Sequence, residues 1–339
     1  AFAQSSVTIY GRLDAGYSAT PSTSYSVGTG TGTETYNNGI NTDGLATSLW
    51  GMKGVEDLGG GLKANFQLEQ GVAMDSGAVA STTGANLNAA AEKQGFNRVS
   101  TLGLSGNFGE VKIGRDYTPL FSTIGAGDIF GTTGATTVNL YPDGVRASDM
   151  VSYSTPAMGG FGAKVMLGRN NNSAGAVNTT SDNTGLSLSY AAGPLYVGFA
   201  WGEIKGSAAG VDSKQNGMAL SGTYNFGAAK LFANHTRAKV EPNTTVNANV
   251  ETNETNLGVA VPFGAATFMA GIGRNNVDAN VAGTTSSASG NDYVLGVTYD
   301  LSKRTALYIK TGVYNKIDNT AVLGGSKQQT TALGVKHTF

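Results

Sequence analysis

The chain has 339 residues and a formal net charge of -1, with 50 glycines, 7 prolines, no cysteine and only 13% charged residues. The near-zero balance argues against nucleic acid as the main partner, and the missing cysteines exclude disulfides, thiolate metal sites and cysteine nucleophiles. Hydrophobic residues reach 40%, yet the most apolar stretches, such as VGFAWG, fall far short of the ~20 residues of a membrane-spanning helix.

The chain opens on AFA, the small-x-small pattern that ends a secretory signal peptide, with Gln4 as a natural first mature residue. Any three small residues give the same pattern. The expectation is a signal remnant over 1–3 and a single domain over 4–339. From there period-2 alternation dominates. Val7, Ile9, Leu13, Ala15 and Tyr17 share one face of the first segment, and Thr8, Tyr10, Arg12 and Asp14 the other. Leu62, Ala64, Phe66 and Leu68 alternate with Lys63, Asn65, Gln67 and Glu69. The same alternation returns over 186–190 and 293–299.

Short turns join the segments in pairs: EDLGGGL (56–62), SGNFGE (105–110), TPAMGGF (155–161), AAGPL (191–195), NFGAA (225–229), PFGAA (262–266) and DLSKR (300–304). Between the pairs lie polar stretches, roughly 18–46, 71–95, 117–145, 169–184, 202–215, 237–254, 274–291 and 315–329. Strict alternation of short and long connections predicts sixteen antiparallel strands of ~9–11 residues, a length that crosses a bilayer when tilted. Sixteen strands are too many for side chains to fill a closed barrel, so the inside is wet and the apolar coat faces lipid. Closure also satisfies every backbone group, which hydrocarbon demands. The fold expected is an all-β, 16-stranded transmembrane barrel. Aromatics near strand ends, among them Tyr17, Trp50, Tyr190 and Trp201, suit interfacial girdles and equally suit ordinary sheet.

With lipid outside, parity assigns the lumen face. Arg12, Asp14, Lys53, Lys63, Glu69, Arg146, Lys164, Lys230, Lys310 and Lys336 point inward, and Arg98 does so if Val99 faces lipid. Any wet barrel would sort its charges this way. Arg115 breaks parity, since Val111 and Ile113 face out; a bulge at Gly114 would turn it inward. No catalytic set appears: His235 and His337 lie on different strands with outward parity. GTGTG at 28–32 precedes no helix pattern. No ligand spacing supports a metal, and no cofactor is implied. The reading is a channel, not an enzyme.

The segments SSVTIYGRLDAGY (5–17), GVEDLGGGLKANFQLEQG (54–71), LGLSGNFGEVKIGRDYTP (102–119) and LGVKHTF (333–339) resemble the general porins of Gram-negative bacteria, those of beta-proteobacteria and the neisserial branch above all. The resemblance covers essentially the whole chain. It implies an outer-membrane homotrimer that passes small hydrophilic solutes by diffusion, with the third long loop (117–145) folded into the lumen. Basic wall residues would face acids on that loop. On this reading Arg12, Lys53, Arg98, Arg115 and Arg146 form the basic side of the constriction, and Asp116 and Asp128 the acidic side. Inward bases outnumber acids, which leans to anion selectivity. One departure is Leu49, where the family often carries arginine. Phe339 matches the terminal aromatic that the assembly machinery reads in such barrels. A solute-specific channel, or a barrel acting mainly as adhesin or receptor, are the rival readings.

Overall fold

The computed structural model describes residues 6–25, 32–80, 95–131, 140–174, 177–208, 211–241, 248–281, 283–318 and 324–339. The suspected signal remnant lies outside them, as does part of the third loop.

Among the described residues, the chain forms seventeen strands and one helix. The strands are β1 (Ser6–Tyr25), β2 (Gly32–Thr42), β3 (Leu49–Gly59), β4 (Leu62–Gly71), β5 (Val99–Gly106), β6 (Gly109–Tyr117), β7 (Arg146–Ser154), β8 (Phe161–Ala174) and β9 (Val177–Ala192). They continue as β10 (Leu195–Ala208), β11 (Val211–Asn225), β12 (Lys230–Glu241), β13 (Ala248–Phe263), β14 (Ala266–Val281), β15 (Thr284–Asp300), β16 (Thr305–Asp318) and β17 (Gly324–Thr338), with helix α1 (Pro119–Ala126) after β6. All pairings are antiparallel, and β17 closes on β1. β2 and β3 occupy successive stretches of one stave: Ala15–Tyr25 of β1 pairs with β2, and Ser6–Arg12 with β3. The barrel therefore has sixteen staves.

The side-chain sorting follows from this closure. Val7, Ile9, Leu102, Ile113, Leu167, Leu220, Leu257, Ile272, Leu295, Ile309 and Leu333 are exposed on the outer face, where lipid replaces water. The inner face carries glycine, alanine and polar groups.

The staves are longer than the alternation predicts. β8 to β17 run 12–17 residues, whereas β3 to β7 keep 8–11. Much of the predicted loops 169–184, 202–215 and 274–291 is continued hairpin. These ends are rich in Thr, Asn and Ser, and in β14 the contrast is the reverse of the lipid-facing one: Val277 and Ala279 are buried with Val250, while Asp278 and Asn280 are exposed.

Candidate functional site

The site begins where β6 ends. Thr118 caps α1, its Oγ1 accepting from Phe121 N at 3.1 Å, and Pro119 takes the first turn, where no N–H is needed. The helix packs on the inner faces of β8 to β11. Leu120 and Ile124 bury themselves against Ala200 and Ala219.

A track of glycines lets the described part of the third loop lie flat on the wall. A Cβ on Gly185 would stand 2.8 Å from Pro119, one on Gly198 3.1 Å from Thr123, and one on Gly258 3.0 Å from Ile129. Cβ atoms on Gly202 and Gly217 would collide with Asp143 and Pro142, and one on Gly296 would stand 3.0 Å from the Phe130 ring. These glycines lie on β9 to β15, so residues 117–131 and 140–145 run inside the barrel. Residues 132–139 lie outside the described residues.

Three guanidiniums gather on the wall beside the loop's departure. Arg98 Nη2 and Arg146 Nη2 both donate to Tyr117 Oη, at 2.5 and 3.0 Å. The Arg146 guanidinium lies 4.5 Å from the Tyr117 ring centroid, a cation–π distance. Arg12 is close enough to Arg98 for their charges to repel. Glu69 stands against the group, 3.7 Å from Arg98 Nε, while its Oε1 accepts from Tyr10 and Gln67. Tyr117 stacks on Phe121, which meets Tyr141 edge-on. An aromatic run thus ties the arginines to the loop.

A second, smaller inward turn holds Arg12. Residues 43–48 join β2 to β3 opposite Leu13 and Asp14, and Asp14 is fully buried beneath them. Asp14 Oδ2 accepts from Leu45 N and Ala46 N at 2.8 and 2.7 Å, and its Oδ1 from Tyr308 at 2.7 Å. Ser48 Oγ bonds both the amide and the carbonyl of Asp14. The turn presents Thr47 O to Arg12 Nε at 2.6 Å. Leu49 is buried just beyond it.

The remaining expected residues fall in several places. The bulge at Gly114 is present: its φ is +123° and the β6–β7 register shifts there. Yet Arg115 is tied to Asn97 O and Ser148 Oγ, each at 2.7 Å, and not to the group around Tyr117. Asp116 pairs with Lys164 at 3.3 Å. Asp128 is 5% exposed, as buried as Arg98 and Arg146; its Oδ1 accepts from Phe130 N and its charge acts on the inward Lys310. Lys310 is 1% exposed, 4.9 Å from the Phe130 ring centroid. Lys230 lies over Phe232, Lys336 is half-buried, and Lys63 is exposed. Lys53 stands over Tyr10, 5.2 Å from its centroid, apart from the arginines. Arg98 is inward for a different reason than parity: Val99 is buried on the parity of Thr101, and Arg98 precedes the strand, so alternation does not bind it. His235 and His337 are exposed and bonded to threonines, and no cluster of metal-ligating residues occurs among the described residues. Sequence reasoning missed Tyr117 as the hub and Lys112 as an inward base, although the alternation of Val111 and Ile113 marks Lys112.

A closed sixteen-stave barrel with an apolar coat, a polar inner wall and an inward loop is a transmembrane β-barrel channel. Residues 1–321 match the family model described as Gram-negative porin, and the chain belongs to that family. It is 30% identical to outer membrane porin protein 32 of Delftia acidovorans, over all of this chain and 95% of that one. It is 28% identical to the major outer membrane protein P.IB of Neisseria meningitidis serogroup B, over 99% of this chain and 95% of that one. Among solved structures it resembles the anion-selective porin from Comamonas acidovorans, with a TM-score of 0.77 and 28% identity, over 99% of this chain and all of that one. The chain is accordingly a porin of the bacterial outer membrane, a channel and not an enzyme.

Proposed function

We propose that this porin is a general diffusion channel with a preference for anions, working as a homotrimer. The observation that carries the selectivity is the group of Arg12, Arg98 and Arg146 around Tyr117, met by the carboxylate of Glu69. Fixed cations on a narrow, low-dielectric wall raise the local anion concentration and repel cations. The inward loop brings the opposite wall toward them; Arg98 and Arg146 are themselves 4% exposed, so they act on a passing anion through the field of their charges and not by direct contact. Their hydrogen bonds to Tyr117 and to Thr47 O hold them in place. The likeness to the anion-selective porin from Comamonas acidovorans supports the same sign of selectivity. Trimer formation rests on the family resemblance and on a trimeric form of Vibrio cholerae OmpT, a structure of the same fold.

The test is the zero-current potential across a planar bilayer with a potassium chloride gradient. Wild type gives the anion-selective sign, and Arg98→Gln/Arg146→Gln moves the potential toward zero. A cation-selective wild type, or an unmoved potential in the double variant, overturns the assignment. A panel of neutral and charged solutes competing for conductance separates general diffusion from a dedicated substrate.

A further inference from the structure

Toward the short-turn end of the lumen, beyond the arginine group, the inner wall of β1 and β3 to β6 opens into a recess of about 400 Å³. Three lysines reach it from successive rungs. Lys53 shares a rung with Thr8, Lys112 is on the next, across Gly103 from Asn65, and Lys63 is on the third, in register with Glu110 through Ser105. Gly103 gives the recess its depth, because a Cβ there would lie 2.7 Å from Asn65 Oδ1 and 3.1 Å from Lys112 Cγ. Among the described residues Glu110 is the one acid in the lining, 3.1 Å from Lys112 Nζ. Asp57, the rung partner of Lys63, turns its Oδ1 to Gly59 N and does not line the recess. Lys53 and Lys63 have no acidic partner among the described residues.

We propose that this recess is a holding site for a small multivalent oxyanion of the phosphate class, placed on the path of anions that have crossed the constriction. The inference rests on the anion-channel reading above. Three ammonium groups around one carboxylate leave a net positive charge with oxygen-seeking donors. Chloride brings a single charge on one atom, whereas a phosphate dianion brings two charges and spreads acceptor oxygens so that separated ammonium groups can each meet one. Lysine binds phosphate as a point charge on a flexible stem, so no bidentate geometry is required. The hydroxyl of Thr8 and the amide of Asn65 add neutral contacts at the rim. An anion resting there is handed between positive charges one rung apart, and it impedes the chloride that follows.

The experiment is chloride conductance through the intact porin, inserted in a planar bilayer with known orientation, titrated with inorganic phosphate at pH 8. Phosphate added at the short-turn mouth is expected to lower the conductance saturably, and at lower concentration than phosphate added at the opposite mouth. Lys63→Gln/Lys112→Gln should raise the half-blocking concentration about tenfold, or ~1.4 kcal/mol over two solvent-screened charges. Its chloride reversal potential should stay on the anion side. Glu110→Gln should shift the block the other way, to lower concentration. Unit conductance steps verify that each variant is folded, and Lys112→Arg, which keeps the charge, should retain the block. The same half-blocking concentration in wild type and the double variant would place the anion at the arginines and overturn the proposal, as would an anion-selective wild type indifferent to phosphate. A cation-selective wild type overturns the function proposed above instead.

Discussion

Arg115 and Arg146 flank the third loop, look alike in sequence and differ in the fold. Arg146 shares Tyr117 with Arg98, while Arg115 closes the bulge by binding Asn97 O and Ser148 Oγ. Arg115→Ala leaves a carbonyl without its charged donor, a loss of about 1–3 kcal/mol, and should lower the thermal unfolding midpoint while the reversal potential holds. Arg146→Ala should do the converse to the potential. If Arg115→Ala shifts the potential as far as Arg146→Ala, the two belong to one group after all. Asp143 gives a residue-scale pH dependence. It is sealed between the loop and the wall, its Oδ1 accepting from Thr118 at 3.2 Å and its Oδ2 without a donor among the described residues. Burial pushes its carboxyl up to about 8, against ~4 in the unfolded chain. Folding therefore takes up a proton between those values. The contribution to stability is fullest below the lower one, falls as pH rises through the interval, and levels off above about 8. Asp143→Asn, neutral throughout, should lose less of its unfolding midpoint than wild type between pH 5 and pH 9. Parallel pH slopes in the two proteins would discard a neutral Asp143.

At the scale of elements, the lumen is shaped by two inward segments, and each depends on what the wall lacks or buries. The third loop lies flat because Gly185, Gly202, Gly217 and Gly258 offer no side chain. Gly202→Val forces Asp143 off the wall and the loop toward the lumen. Overpacking of this kind costs about 1–3 kcal/mol, and single-channel conductance should fall. Unchanged conductance would mean the loop has room to give way behind. The turn over 43–48 rests on the buried carboxylate of Asp14. Removing an acid from an anion channel would ordinarily strengthen its preference. Asp14→Ala instead releases Thr47 and with it Arg12, so the preference should weaken; a strengthened one would reduce Asp14 to a plain lumen charge. Sequence made the staves, their parity and the seven short turns legible, because a lipid coat imposes a strict period of two. The Asp14 turn was not legible: along the chain it is a polar stretch without periodicity, and only the β1 register brings it over a residue about thirty positions earlier. Tyr117 stood in a motif already read for its arginine, but its role arises from two guanidiniums that converge from the residue before β5 and the first residue of β7. The extended hairpins stayed hidden because their few apolar residues, such as Val277 and Ala279 of β14, face inward, the reverse of the lipid-coat pattern.

The whole molecule is a ring, and a ring has one seam. Every other stave pairs with a neighbour close in sequence, whereas β1 must wait for β17. Gly11 N donates to Phe339 O at 3.1 Å and Phe339 N to Gly11 O at 3.0 Å, so the last residue finishes the ladder. The Phe339 ring lies over Gly11, where a Cβ would stand 2.5 Å from Cζ and 2.8 Å from Leu49 O. An open seam leaves unpaired backbone groups in hydrocarbon, each costing several kcal/mol, so closure is cooperative. Gly11→Val should therefore act on the entire barrel and not on one strand. The folded, heat-modifiable form on a denaturing gel should convert to the unfolded form several degrees lower, in line with an overpacking cost of about 1–3 kcal/mol. Gly222→Ala is the control, since its nearest neighbour is 3.5 Å away. Its midpoint should match wild type. Should both variants convert at the wild-type temperature, the seam is not what limits the stability of the ring, and the Phe339–Gly11 contact is only the place where the chain ends its last strand.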